Sequence, residues 1–308
     1  MKLLASLALA SALLSSVSEA AQRVFVASYG SDSNAAMNCT LAAPCRSFAT
    51  AMTIVDAKGE VVALDAAGYG PVVIQKAVTI TANAGFYAGI SVASGTGVTL
   101  PVGLSSSAEV TLRNLTINSI GGSRGIDMRG GSLTLENCVI SNFADYGLYV
   151  EGPVMGIRIV DSIFRANGMG LWLQSGLHLT MSGTKVMGST NVGIFLMAAP
   201  NGQRTRATIS DSVISDNHTG ISVIGNLNTL GEAALTRVTI TNNSYGITAS
   251  STESPTTTFV TLSASTITGQ WESAITISGT AEVRSIGNNL IDLNGSPDSG
   301  AITTIPAR

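Results

Sequence analysis

The segments GLYVEG, GLWLQS and GIFLMA begin at Gly147, Gly170 and Gly193, and each places an aromatic residue third: Tyr149, Trp172 and Phe195. Aromatic residues make up only 5% of the chain, so this recurrence needs a reason. A row of flat rings can lie against the C–H faces of sugars, or it can be covered by loops or by a second copy of the chain. Beside the row stand side chains able to carry charge or move protons, Arg124, Asp127 and Arg129 ahead of it and Asp145, Tyr146 and Glu151 around Tyr149, while Gln174 after Trp172 offers an amide to bind substrate with the three rings. Opposite charges this close also satisfy one another as surface pairs on neighbouring strands.

Repeats must position these residues. VTLRNLTI (from Val110), LTLENCVI (Leu133), IRIVDSIF (Ile157), ATISDSVI (Ala207), ALTRVTI (Ala234) and VTLSASTI (Val260) recur about every 25 residues, with single skipped units. The pairs Gly125-Ile126, Gly147-Leu148, Gly170-Leu171, Gly193-Ile194, Gly220-Ile221 and Gly246-Ile247 keep step. Each unit holds short, β-branched, period-two stretches broken by Gly, Asn or Asp, too short for helices. The pattern predicts a parallel β-solenoid whose unit turns three times and stacks each strand on its copy about 4.8 Å away. Ile126/Met128, Leu148/Val150, Leu171/Leu173 and Ile194/Leu196 then face inward. The residue between each pair faces out, giving the series Ser91, Asp127, Tyr149, Trp172, Phe195, Ser222, Thr248, Thr276. Asn114, Asn137, Asp161, Asp211 and Asn288 mark one bend and Asn167, Asn217 and Asn243 another, both read as structural.

The GI, VTLRN and ISDN patterns resemble the right-handed parallel β-helix proteins of the pectate-lyase-like superfamily, over roughly residues 60 to 294. The stretch VFVASYGSDSN…CTLAAPCRSFATAM resembles the entry segment of such exported proteins. The resemblance implies one right-handed parallel β-helix of about nine coils. It also implies a lyase chemistry, in which calcium or Arg offsets a uronate carboxylate while a basic side chain removes the neighbouring proton. On that reading Arg124 or Arg129 is the base, and Asp127, Asp145 and Glu151 form an oxygen cluster for calcium. The polygalacturonase Asp-Asp pair with Gly-His-Gly, the pectate lyase Arg-x-Pro-x-x-Arg and the epimerase Asp-Pro-His do not occur here, so none of those sites is carried over. The scaffold itself hosts many functions.

The remaining sequence bounds the answer. Lys2, an apolar run from Leu3 to Leu14 and Ser18-Glu19-Ala20 read as a secretory leader over residues 1–20. That run is shorter than the roughly 20 residues a bilayer needs, so no membrane insertion is expected. Charged residues are 11% of the chain and the net charge is −3, leaving no basic field for nucleic acid. Export and closeness predict a disulfide between Cys39 and Cys45, while Cys138 reads as an inert core thiol. Residues 21–59 read as an entry strand, disulfide loop and short capping helix, 60–296 as the β-helix, and 297–308 as a tail. His218 lies too many coils from Arg124 to join that cluster, His178 reads as an exposed residue opening a strand of another sheet, and the two histidines are too distant from each other for zinc.

The expected function is an exported protein that recognises an extracellular polysaccharide and cleaves it by β-elimination if it is an enzyme. The rival is a non-catalytic surface or adhesin-like protein.

Overall fold

The structure, a computed structural model, describes residues 22–174, 176–198, 204–225, 229–251 and 258–306. The expected leader lies outside them. Short strands pair in parallel into sheets of twelve, ten and nine strands, and the chain visits the three in turn. Among the described residues the nine-stranded sheet therefore marks nine coils with a strand in every sheet, the right-handed parallel β-helix expected.

Alternation drives the coil. In Glu109–Arg113 and Leu115–Ser119 every second residue is buried, as a half-buried strand requires. Register then stacks like on like. Val61, Ile80, Leu112, Leu135, Ile159, Met181, Ile209, Leu235 and Leu262 make one buried row inside the twelve-stranded sheet. Such rows bury apolar surface at every coil, which is the main stabilising term of a solenoid.

The recurring glycines answer to a close approach. A Cβ on Gly125, Gly147, Gly170, Gly193 or Gly220 would stand 2.4 to 2.7 Å from the carbonyl oxygen of the next glycine in the row. No larger residue fits without moving a strand.

Two corners explain the asparagine rows. The corner from the twelve- to the ten-stranded sheet is left-handed at Asn114, Asn137, Asp161 and Asp211, with φ between 48° and 58°. Asn and Asp tolerate that region best among residues with a side chain. Asn288 departs from this row: Gly287 takes the positive φ, and Asn288 instead accepts from the Ala264 N–H at 2.9 Å. Just inside this corner Ser162, Thr184, Ser212 and Ser265 each accept a backbone N–H from the preceding coil, beginning with that of Cys138. At the next corner Asn167, Asn217, Asn243 and Gln270 are buried. Asn243 Oδ1 accepts the Asn217 N–H at 3.0 Å and Gln270 Oε1 the Asn243 N–H at 3.0 Å. Ser189 occupies the same position between Asn167 and Asn217, and its hydroxyl is buried without a partner among the described residues.

Both ends are closed in part. Arg23–Val26 adds the first strand to the twelve-stranded sheet, and Cys39 is bonded to Cys45. Helix Phe48–Ile54 turns Phe48, Ala51 and Met52 onto the core, with Ser47 as its N-cap. Asp32 accepts from the backbone N–H groups of Arg46 and Ser47, both at 2.9 Å, and so ties the entry loop to that cap. At the other end the stretch read as a tail carries strand Ile302–Thr304, which pairs with Glu282–Ser285 as the twelfth strand of its sheet.

Candidate functional site

Strands Arg124–Met128, Tyr146–Glu151, Met169–Gln174 and Val192–Met197 lie side by side in the nine-stranded sheet. Their register places Asp127, Tyr149, Trp172, Phe195, Ser222, Thr248 and Thr276 in one outward row, as the alternation predicts, but Ser91 does not head it: Ser91 pairs with Asn118 in the ten-stranded sheet, and Thr99 is the residue beside Asp127. The Trp172 and Phe195 rings stack with centroids 4.2 Å apart and planes 14° from parallel. Tyr149 and Trp172 are nearly parallel at 8°, with centroids 6.3 Å apart. All three rings are half-buried, so the row shields itself and presents less ring surface than isolated outward residues would.

Tyr146 widens the row beyond what alternation shows. Strict period two would turn Gly147, not Tyr146, to the Tyr149 face. Tucked against Gly170, Gly147 breaks the alternation, and both tyrosines end half-exposed around two buried residues. Tyr146 then meets Tyr149 at 4.8 Å and the edge of Trp172 at 5.7 Å. The signal in the sequence is the Tyr-Gly pair, which only the close approach at Gly147 makes readable.

The charges close on one another. Asp127 accepts from Arg124 Nη1 at 2.5 Å and from Arg129 Nε at 2.6 Å. Arg129 Nη1 reaches on to Glu151 Oε2 at 2.5 Å, and the Tyr149 hydroxyl donates to the same oxygen at 2.8 Å. Both guanidinium groups also lie over Tyr149, at 4.3 Å for Arg124 and 4.8 Å for Arg129. They come from the preceding coil, so they cover the face of Tyr149 turned away from Trp172. Cation–π contact and the ion pairs together set one end of the aromatic row rigidly.

This arrangement fixes protonation. The hydrogen bond to Asp127 holds the Arg129 guanidinium above its ordinary value, and the charges of Asp127 and Glu151 add to it against the opposing effect of burial. Burial, then the hydrogen bond to Glu151, raises the Tyr149 phenol. Arg129 is thus a clamped cation and Tyr149 a neutral donor, the reverse of what a proton acceptor needs.

The other expected residues separate. Gln174 extends the row of Glu151 and lies between it and Met197 in register. Asp145 is exposed at the turn before Tyr146 and stands outside the ion-pair chain. Calcium at Asp127, Asp145 and Glu151 would have to displace arginines from two of its three carboxylates, and among the described residues no group of three or more His, Cys, Asp or Glu side chains is arranged to hold a metal ion. His178 and His218 are exposed, His178 opening a strand in the twelve-stranded sheet and His218 edge-on to Tyr245 at 5.7 Å. Cys138 is buried and free, and burial pushes its thiol up to about 11. The longer loops that follow this row, Met197 to Arg206, Ile224 to Glu232 and Ala249 to Thr258, which the sequence offers as one wall of a groove, have their central residues outside those described. The buried Trp172 Nε1 has no hydrogen-bond partner among the described residues, a feature nothing in the sequence announces.

Two solved structures share this fold. Pectate lyase Pel9A superposes with a TM-score of 0.58 at 14% identity, covering 94% of this chain and 78% of its own. The GH136 lacto-N-biosidase from Eubacterium ramulus superposes with a TM-score of 0.51 at 11% identity, covering 92% of this chain and 68% of its own. At these identities the likeness shows the fold alone. No curated protein matches the sequence. The family profile described as "Right handed beta helix region" matches residues 102–261, more than half of the chain and the whole of the aromatic row. With its coils, corners and register as described, the chain belongs to the right-handed β-helix region family.

Proposed function

We propose that the outward face of the nine-stranded sheet recognises an extracellular polysaccharide. One observation carries this reading: Tyr149, Trp172 and Phe195 form a parallel stack on the outside of the sheet, half-exposed, with one ring at the same place in each of three successive coils. Rings at the coil spacing of about 4.8 Å present a strip on the order of 10 Å long, enough for two or three sugar units of a chain. The two structural neighbours, a pectate lyase and a lacto-N-biosidase, are named for activities on sugar chains, which supports the same class of ligand. The disulfide and the leader-like start agree with work outside the cytoplasm. Binding to a panel of immobilised polysaccharides, lost on Trp172→Ala, tests the proposal.

The non-catalytic reading has its own support in the paired state of Arg124, Asp127, Arg129 and Glu151, which leaves neither arginine placed as a base. Cleavage by β-elimination would produce unsaturated ends absorbing near 235 nm. Incubation with uronate polysaccharides, with and without calcium, decides between cleavage and binding alone.

A further inference from the structure

The aromatic face is electrostatically lopsided in a way that selects among polysaccharides. All of its ion-paired groups lie at one end, and there they cancel. Arg124 and Arg129 are matched by Asp127 and Glu151 through contacts of 2.5 to 2.6 Å, and exposed Asp145 adds a negative charge beside them. Beyond Glu151 the charges stop. The next four strands of the sheet read MGLWLQ, VGIFLM, TGISVIG and YGITASS, without a lysine, arginine, aspartate or glutamate. Their outward residues are Trp172, Gln174, Phe195, Met197 and Thr248, with Ser222 in the same row but buried, a set of rings, amide and hydroxyl. At the turn before the strand of Ser222 stand exposed Asp216, which repels a carboxylate, and exposed His218, edge-on to Tyr245.

A chain of sugar acids laid along Trp172 and Phe195 would bring a carboxylate to each ring and meet no cation there. Drawing those carboxylates from water onto a half-buried, uncharged face costs binding energy that nothing returns. At the charged end they would compete with Asp127 and Glu151 for guanidinium groups already held in two or more contacts, beside the repelling Asp145. A neutral chain meets neither penalty. Its C–H faces match the rings, and its hydroxyls match Gln174 and Thr248, which both donate and accept.

We infer that the ligand is a neutral glycan and not a polyuronate. The inference rests on the polysaccharide reading above and narrows it. It also bears on chemistry: β-elimination needs the acidic proton beside a uronate carboxylate, which a neutral chain lacks, so elimination is not open to this ligand.

The test compares ligands that differ only in charge. Oligogalacturonate and its carboxyl-reduced neutral counterpart, matched in length, are titrated into the exported protein by calorimetry at low salt, beside neutral gluco- and N-acetylglucosamine oligosaccharides. Neutral chains are expected to bind at least about tenfold more tightly than the uronate, with the loss reproduced by Trp172→Ala. Equal or tighter binding of the uronate overturns the inference and leaves the polysaccharide face standing. If no member of either class binds, the polysaccharide reading itself falls, and this inference falls with it.

Discussion

Trp172 lies on Phe195 with ring centroids 4.2 Å apart, closer than the spacing of the coils that carry them, while Tyr149 stands 6.3 Å away on the other side. The row is therefore tight at one end and open at the other, where Arg124 and Arg129 cover the far face of Tyr149. Phe195→Leu should loosen Trp172 and weaken glycan binding by about 1 kcal/mol, the range measured for aromatic pairs. Titration by tryptophan fluorescence in a Trp271→Phe background reads it, because these are the two tryptophans of the chain and Trp271 is 78% exposed. An unchanged affinity would remove Phe195 from the site.

Gly170 is fixed by its neighbours, since a Cβ there would stand 2.4 Å from Gly193 O and 2.7 Å from a Val186 methyl. Gly170→Ala should cost about 1 to 3 kcal/mol, the usual effect of forcing an extra group into a packed interior. Urea unfolding measures it, and a neutral result would mean that the strands are not held as close as described.

Ser189 interrupts the buried amide ladder. Ser189→Asn should place an oxygen where the Asn167 N–H can donate and an amide N–H where a carbonyl can accept, as Asn217 does one coil on. The gain expected is about 1 kcal/mol, the net worth of a typical hydrogen bond, and it also removes a buried hydroxyl now without a partner among the described residues. A lower melting temperature for the variant would show that this corner has no room for the ladder.

Cys138 heads the hydroxyl ladder continued by Ser162 and Thr184, its thiol donating to Leu112 O at 3.3 Å. Cys138→Ser should change stability by less than about 1 kcal/mol, because serine serves the same place three coils on at Ser212. In the folded protein the thiol, buried and raised to about 11, should resist alkylation at neutral pH. Rapid labelling without denaturant would contradict the placement.

Asp32 joins the entry loop to the capping helix. Burial works to raise its carboxyl, but hydrogen bonds from the Ser47 hydroxyl and from the Arg46 and Ser47 backbone outweigh it and hold the group below its ordinary value. A carboxylate lowered in the folded state stabilises above its unfolded value of about 4, and that contribution is lost as pH falls through the folded value. Melting curves from pH 7 to pH 3 should show a steeper acid loss for wild type than for Asp32→Asn. Parallel curves would show that the link contributes nothing.

Much of this was legible in the sequence. The repeat gave the coil, and alternation gave the outward row down to Tyr149, Trp172 and Phe195, because each inward neighbour is apolar. The left-handed corner was visible where Asn or Asp marks it. It was hidden at Arg237 and Ala264, which hold φ of 53° and 46° without any residue preference to announce them. The strand Ile302–Thr304 was missed because three residues in a Pro- and Gly-rich end carry too little periodicity to read. In the site, proximity of Arg124, Asp127, Arg129 and Glu151 was readable, but their mutual pairing was not. Whether neighbouring charges face a ligand or one another depends on side-chain directions that spacing leaves open.

The central claim is that the aromatic row meets a glycan and not another part of the protein. Trp172→Ala, measured for glycan binding and for melting temperature side by side, tests it most directly. The expected result is a loss of about 2 kcal/mol or more of binding, as for a central interface ring, with a melting temperature only a few degrees lower. A destabilisation of about 3 to 5 kcal/mol, the cost of truncating a buried aromatic, with no glycan bound by the wild type, would contradict it and make the row part of the protein's own packing.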